Sequence, residues 1–281
     1  MSGRHCSFSC QVVTMPAKPP KPDTRCFDIF VACTTAIENG ELIKKVSASD
    51  KEYHFQNWFE ERLDAEGIDA DEPSRNSYPD YRLVHAPEGY ELKALAYPGR
   101  QADFDCNSQV PTGVHNGRTV FYVFGRYPDD VARTEKEYPL LDLVVCHGDF
   151  LNADHTYVHK NRSFRGFGSY GDILVRDRKM YVAPTPFALL EGVTRLPTLI
   201  VPSEYPLDER FQEVGRFTRV EADDLVVGYD FDLKKNELKP NYAKNPGAGT
   251  RHEFIACRLK GASKKPVDLV KRPALPEPNG E

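Results

Sequence analysis

Two long runs of aromatic and β-branched residues constrain the fold of this chain more than any other feature. They are TVFYVFGRY, residues 119–127, and LLDLVVCHG, residues 140–148. Both are almost continuously apolar, a pattern that favours strands covered on both faces over strands with one solvated face. LPTLIVP, residues 196–202, is a third run of the same kind. The sequence therefore predicts a mixed sheet whose central strands are buried on both sides.

Two helix patterns precede these strands. FDIFVACTTAIENG, residues 27–40, is apolar nearly all round and closes with Asn-Gly, as a buried helix does. SDKEYHFQNWFEERLDAEG, residues 49–67, opens with capping-box spacing and has an apolar side of large residues. Helices first and a mixed sheet afterwards indicate an α/β or an α+β fold.

We predict one folded domain with two extended ends. Residues 1–25 are rich in Pro, Lys and Ser and are expected to form a disordered leader, and residues 262–281 a flexible tail. The domain, residues 26–261, divides into a core of about 27–201 and late β elements, 202–261. Seven scattered cysteines without a C-x-x-C pair indicate reduced thiols, and no apolar run could cross a membrane. We therefore expect a cytoplasmic protein with no membrane partner.

SYPDYRLVHAPEGYELKAL, residues 77–95, combines a β-hairpin signal with two acids and a lysine. Residues two apart in a strand share a face, so Glu91 and Lys93 are expected to project together while Leu92 faces the core. Asp80 lies just before the neighbouring strand of the hairpin, so its carboxylate can come close to Glu91. Two carboxylates held together favour a hard cation such as Mg²⁺. Lys93 beside the metal could hold or deprotonate a water, or stabilise charge that develops on phosphorus.

The order Pro-Asp, ten residues, Glu-Leu-Lys within residues 79–93 resembles the signature of the PD-(D/E)XK nuclease superfamily. Within that superfamily the chain is most similar to type II restriction endonucleases. Residues 104–127 also resemble the segment that follows the catalytic lysine in several such enzymes. The resemblance implies an α/β fold with a restriction-endonuclease-like core, in which helices flank a central mixed β-sheet and additional C-terminal antiparallel strands follow.

The same resemblance implies Mg²⁺-dependent cleavage of double-stranded DNA. It carries Asp80 and Glu91 over as metal ligands and Lys93 as the catalytic lysine. Many members of the superfamily add an acid from the preceding helix, and Glu60 or Glu52 could serve here.

Basic and polar segments supply candidate DNA contacts. Between Lys160 and Lys179, six basic residues stand against two acids, although the chain has a net charge of −5. Arginine can pair with guanine edges, while lysine and polar side chains more often contact phosphate. The basic run could equally be a solvated loop and a hairpin that turns near residues 177–179. The candidate DNA-binding residues are Asn107, Ser108, Gln109, Arg118, Lys160, Arg162, Arg165, Arg176 and Arg178.

Three functions stay open at this point. The first is a sequence-specific endonuclease, expected as a homodimer because a two-fold dimer matches a palindromic site. The second is a structure- or damage-specific DNA nuclease of the same fold, and the third a non-catalytic nucleic-acid-binding protein. A further pair, His147 and Asp149, invites a metal interpretation, but a satisfied core or loop histidine is favoured there.

Overall fold

The computed structural model describes residues 24–45, 51–71, 78–106, 110–153, 164–166, 173–175, 181–232 and 237–271. The helices are α1 (Cys26–Glu38), α2 (Lys51–Ala65), α3 (Asp129–Thr134), α4 (Gly148–Asn152) and α5 (Pro186–Leu189). The strands are β1 (Ile43–Lys44), β2 (Ala70–Asp71), β3 (Tyr81–Leu83), β4 (Glu88–Tyr97), β5 (Asp103–Cys106), β6 (Val114–His115), β7 (Arg118–Pro128), β8 (Glu137–Tyr138), β9 (Asp142–His147), β10 (Phe164–Gly166), β11 (Ile173–Val175), β12 (Tyr181–Pro184), β13 (Leu190–Glu191), β14 (Thr198–Pro202), β15 (Phe211–Val220), β16 (Asp224–Asp232), β17 (Glu237–Lys244), β18 (Arg251–Leu259) and β19 (Asp268–Leu269).

A nine-stranded mixed sheet forms the centre of the molecule. Its order is β15-β18-β14-β9-β7-β4-β3-β2, and β6 pairs with β7 beside this path. The pairs β4–β7 and β9–β14 are parallel, whereas β3–β4 and β7–β9 are antiparallel. The predicted α/β architecture with a large mixed sheet and flanking helices is confirmed. The predicted hairpin of residues 77–95 is present as β3 and β4.

Each face of the sheet has its own hydrophobic core, as the apolar strands β7 and β9 require. Helices α1 and α2 cover the first face, where Trp58 and Phe59 pack with Tyr90 and Leu92. On the second face, strands β5 and β12 and helix α4 cover the sheet, and Tyr122 belongs to this second core. Burying one large apolar side chain contributes about 1.5–3 kcal/mol, so both cores stabilise the sheet strongly.

The C-terminal boundary of the fold differs from the prediction. Instead of starting a flexible tail, residues 262–271 pack on the domain: β19 pairs with β13, and Val267 is buried. Arg258 is fully buried and donates hydrogen bonds to the carbonyls of Ser263 and Lys265. A buried guanidinium needs several acceptors, and this segment provides them. The predicted leader, except residues 24 and 25, and the tail beyond residue 271 lie outside the described residues.

The prediction of a hairpin that turns near residues 177–179 is wrong. Strand β12 pairs with β5, and β11 pairs with β10, so β11 and β12 are not partners. Where β12 pairs with β5, the apolar side chains of Val182 and Ala183 are buried. Residues 177–179 themselves lie outside the described residues.

The five described cysteines are all free and buried: Cys26, Cys33, Cys106, Cys146 and Cys257. Burial raises the pKa of the Cys33 thiol to about 12, so this thiol stays protonated at neutral pH. None of the helices in the described part of the chain is long and apolar enough to cross a bilayer.

Candidate active site

Glu91 and Lys93 form a partly buried ion pair on β4. The Lys93 Nζ lies 2.8 Å from the Glu91 Oε1, and the two side chains are only 17% and 13% exposed. Leu92 points to the opposite face, where it is fully buried beneath α2, as predicted. A Glu–Lys pair on a solvated strand contributes little and has no reason to be buried. The burial of this pair therefore favours a function for it.

Asp80 is brought beside Glu91 by the hairpin. Tyr81 of β3 lies opposite Tyr90 of β4, so continuing the antiparallel register one step places Asp80 opposite Glu91. The Asp80 Oδ2 accepts a hydrogen bond of 2.8 Å from the backbone N–H of Leu92. The three residues with predicted catalytic roles therefore lie together on the second face of the sheet.

One oxygen of this group is left without a partner. The Glu91 Oε2 is buried and accepts no hydrogen bond from any residue that the structure describes. Leaving a buried acceptor unsatisfied costs about 1–3 kcal/mol, and more when the group is charged. A hard cation would remove that cost, because oxygen is the ligand that Mg²⁺ prefers. This orphaned oxygen therefore fits a bound metal.

Few protein side chains at this site could bind a metal, and their number limits which metal fits. Among the described residues, no three His, Cys, Asp or Glu side chains come together as metal ligands. Mg²⁺ commonly takes one or two protein carboxylates and fills its other positions with water and phosphate oxygens. Asp80 and Glu91 together match that requirement.

Three neutral side chains lie near Glu91, in addition to Asp80 and Lys93. Burial raises the pKa of Tyr122 well above its usual value, and the nearby Tyr78 and Glu91 raise it further. Burial, opposed by a hydrogen bond to Tyr122, also raises the pKa of Tyr78. Burial raises the pKa of the Cys106 thiol to about 12, with Lys93 lowering it and Glu91 raising it. These two phenols and the thiol are therefore uncharged at neutral pH, and the charged groups of the candidate site are Asp80, Glu91 and Lys93.

Glu60, a candidate third acid, lies elsewhere. Its carboxylate accepts a hydrogen bond of 3.5 Å from the hydroxyl of Tyr81, on the face that α1 and α2 cover. Glu91 projects from the other face of the sheet, so the structure does not bring Glu60 to the buried pair. The side chain of Glu52 lies outside the described residues.

Of the candidate DNA contacts, Arg118 is the one whose side chain the structure describes. Its Nη1 donates hydrogen bonds of 2.7 and 3.1 Å to the carbonyls of Leu83 and Ala86. Arg118 therefore holds the turn between β3 and β4. Arg165 lies on β10, but its side chain is outside the described part of the structure. Also outside it are Asn107, Ser108, Gln109, Lys160, Arg162, Arg176 and Arg178.

A polar cleft lies at the carboxyl ends of the parallel strands β9 and β14, where the sequence had indicated His147 and Asp149. It has a volume of about 530 Å³, and His147, Asp149 and His252 line it. His147 is buried, and its Nδ1 accepts a hydrogen bond of 3.4 Å from the backbone N–H of Asp149. The Asp149 Oδ1 accepts one of 2.6 Å from the backbone N–H of Gly113. Both side chains are thus used within the fold.

The cleft was hard to find from sequence because its polar residues come from segments that are far apart along the chain. His252 Nε2, on β18, lies 2.8 Å from Oε1 of Glu221, which directly follows β15. Such a pair leaves no local spacing that a sequence pattern could reveal.

We expect the protein to lose stability as the pH falls below 6.5. Burial lowers the pKa of His147 from 6.5, although Asp149 and Glu204 oppose that shift. The unfolded chain then binds a proton at a higher pH than the folded chain, so the free energy of unfolding decreases with falling pH. Urea denaturation between pH 7.5 and 5 should show a shallower decrease for His147→Gln than for the wild type. The exposed His85, replaced in His85→Gln, is the control and should not change the slope.

A scan against models of known protein families found no match, and searches of curated proteins and of solved structures found none either. The interpretation of this site therefore depends on its residues and their geometry.

Proposed function

We propose that this chain is a Mg²⁺-dependent endonuclease that hydrolyses phosphodiester bonds in double-stranded DNA, built on a restriction-endonuclease-like core. The observation that carries the proposal is the orphaned, buried Oε2 of Glu91, beside Asp80 and the 2.8 Å pair with Lys93. Two carboxylates and an ammonium group at one point of a rigid sheet suit metal-assisted hydrolysis of a phosphodiester.

Each of the three side chains has a distinct role. Asp80 and Glu91 would hold the metal, and the Leu92 N–H fixes the orientation of the Asp80 carboxylate. Bound Mg²⁺ would stabilise negative charge on a phosphate and lower the pKa of a water. Lys93 carries its ammonium group beside the same acids, where it can orient the attacking water and stabilise charge that develops on the phosphate oxygens.

We expect the restriction-type activity from two chains acting together. One Asp-Glu-Lys cluster cuts one strand, so cutting both strands of a palindromic site is simplest for a homodimer. Base recognition would come from the basic run of residues 160–179 and from residues 107–109. The acids at the site repel phosphate, so affinity for DNA must come from other segments.

Incubation of the protein with supercoiled plasmid and Mg²⁺ tests this proposal. We expect linear products with ends at one short sequence, and no product in EDTA. Glu91→Gln, which removes one metal-binding charge, should produce no linear DNA. Asp69→Asn is a matched control, because Asp69 is an exposed acid that pairs with His85.

Other outcomes separate the alternatives. Ends that fall at nicks or mismatches, whatever the sequence, would favour the structure- or damage-specific nuclease. Absence of any cleavage of intact, nicked or mismatched duplexes with Mg²⁺ or Mn²⁺ would contradict nuclease activity and favour a non-catalytic nucleic-acid-binding protein.

A further inference from the structure

A hydrogen bond between two tyrosines crosses the strand that carries the candidate catalytic residues. The hydroxyls of Tyr78 and Tyr122 are 2.9 Å apart. Tyr122 lies on β7 and Tyr78 lies three residues before the start of β3, and these two strands flank β4. Both tyrosines pack in the second core, so the bond passes over β4 on the face from which Glu91 projects.

The two tyrosines also lie close to Glu91 itself. Tyr122 is the partner of Glu91 in the parallel register of β4 and β7. Burial raises the pKa of both phenols, and the nearby negative charge of Glu91 adds a smaller increase. The hydrogen bond between the two hydroxyls therefore lies on the same face of the sheet as the Glu91 carboxylate.

Tyr78 is the beginning of the segment Tyr78-Pro79-Asp80, which lies against β4. Pro79 packs on Gly89 so closely that a methyl group added at Gly89 would lie 2.3 Å from the Pro79 Cγ. The Asp80 carboxylate then accepts the hydrogen bond from the Leu92 N–H. The segment is thus attached to β4 and β7 at three successive residues.

We infer that the Tyr78–Tyr122 hydrogen bond is a positioning device, which holds Asp80 against Glu91 so that the two carboxylates can share one divalent cation. The inference rests on the proposed function and goes beyond it, because neither tyrosine is expected to touch the metal or the DNA. A carboxylate in a three-residue segment before a short strand would otherwise sample several positions. Metal binding would then have to order the carboxylate, at a cost in free energy. Holding Asp80 in place before the metal binds removes this cost.

The hydrogen bond of the two tyrosines can be separated from the packing of their rings. The ring of Tyr78 also makes an edge contact with His115, with centroids 4.8 Å apart, so packing would persist without the hydroxyl. Replacement by phenylalanine therefore removes the hydrogen bond and keeps the ring, which separates positioning from burial.

Binding of Mn²⁺ to the full-length protein, measured by calorimetry without DNA, tests the inference. We expect Tyr78→Phe and Tyr122→Phe each to weaken Mn²⁺ binding by about three- to tenfold, the effect of losing one hydrogen bond. Tyr78→Phe removes this bond and the hydrogen bond of Tyr78 to the Thr112 backbone, so the double variant should lose no more than Tyr78→Phe alone. Gly89→Ala should weaken binding by another route, because the new methyl group displaces Pro79.

Tyr138→Phe is the matched control. Tyr138 is buried on the helix-covered face, and its hydroxyl is 3.3 Å from the Nδ1 of His54. This variant also loses one buried hydrogen bond, so its thermal stability should fall like that of the other two. Its affinity for Mn²⁺ should equal that of the wild type.

Cleavage assays give a second measurement. For Tyr78→Phe, the Mg²⁺ concentration for half-maximal cleavage should rise by the same factor, and the rate at saturating Mg²⁺ should return towards that of the wild type. If the wild type cleaves DNA while Tyr78→Phe and Tyr122→Phe have its Mn²⁺ affinity and Mg²⁺ dependence, the positioning role is wrong and the proposed function stands. If the wild type binds no Mn²⁺ and cleaves no DNA, the proposed function fails and this inference fails with it.

Discussion

Lys93→Ala should reduce DNA cleavage by at least about 10²-fold while leaving DNA binding intact, because removing one preorganised charge-stabilising group has this effect in other enzymes. The Lys93 ammonium group is held 2.8 Å from the Glu91 Oε1 and its side chain is only 17% exposed. A water that enters in its place carries no positive charge, so it would not restore the lost stabilisation. Single-turnover cleavage in Mg²⁺ gives the rate, and gel-shift titration in Ca²⁺ gives the affinity without cutting.

Two further variants are controls, one for unfolding and one for the loss of a lysine elsewhere on the surface. Lys93→Met keeps the length and apolar stem of the side chain, so a loss of activity with an unchanged denaturation curve would not reflect unfolding. Lys44→Ala removes a lysine whose side chain is 63% exposed and paired with Glu61, and should cut at the wild-type rate. A Lys93→Ala enzyme that cuts as fast as the wild type would remove Lys93 from the site.

Asp142→Ala should lower the free energy of unfolding by about 3–5 kcal/mol, the loss expected when one partner of a buried ion pair is removed. Asp142 is fully buried and accepts a hydrogen bond of 2.8 Å from the Arg126 Nε, with a second contact to its guanidinium. It also accepts one of 2.7 Å from the backbone N–H of Arg195. The variant leaves a buried guanidinium without its counter-charge and an unsatisfied N–H.

Asp71→Ala is the control for this stability measurement. Asp71 forms an ion pair with Arg82 in which both side chains are more than 40% exposed. Exposed pairs of this kind contribute about 0–1 kcal/mol, so the loss should be small. Equal losses for the two variants in urea denaturation would mean that the Arg126–Asp142 pair does not stabilise the sheet.

Local pattern was sufficient to predict the central geometry of the candidate site. Strand alternation placed Leu92 in the core and Glu91 with Lys93 on the other face, and a short turn made Asp80 their neighbour. These relations depend on residues close in sequence, for which period and turn chemistry determine the outcome. The buried strands β7 and β9 were predictable for the same reason.

Contacts between distant segments could not be predicted in this way. Nothing in residues 181–184 indicates that they pair with β5, almost eighty positions earlier. The bond from Tyr78 to Tyr122 joins residues that are 44 positions apart, and no local pattern around either residue indicates the contact. Burial of Arg258 orders the residues after Gly261, but an arginine in a strand is usually expected to face solvent.

A crystal structure with Mn²⁺ and a duplex of the cleaved sequence tests the central claim most directly, because anomalous scattering locates the metal without assumptions about the site. We predict an anomalous peak between the carboxylates of Asp80 and Glu91, in contact with the Glu91 Oε2, and a DNA phosphate beside the ammonium group of Lys93. A duplex bound with its metal at another set of residues, or with none between Asp80 and Glu91, would contradict the account.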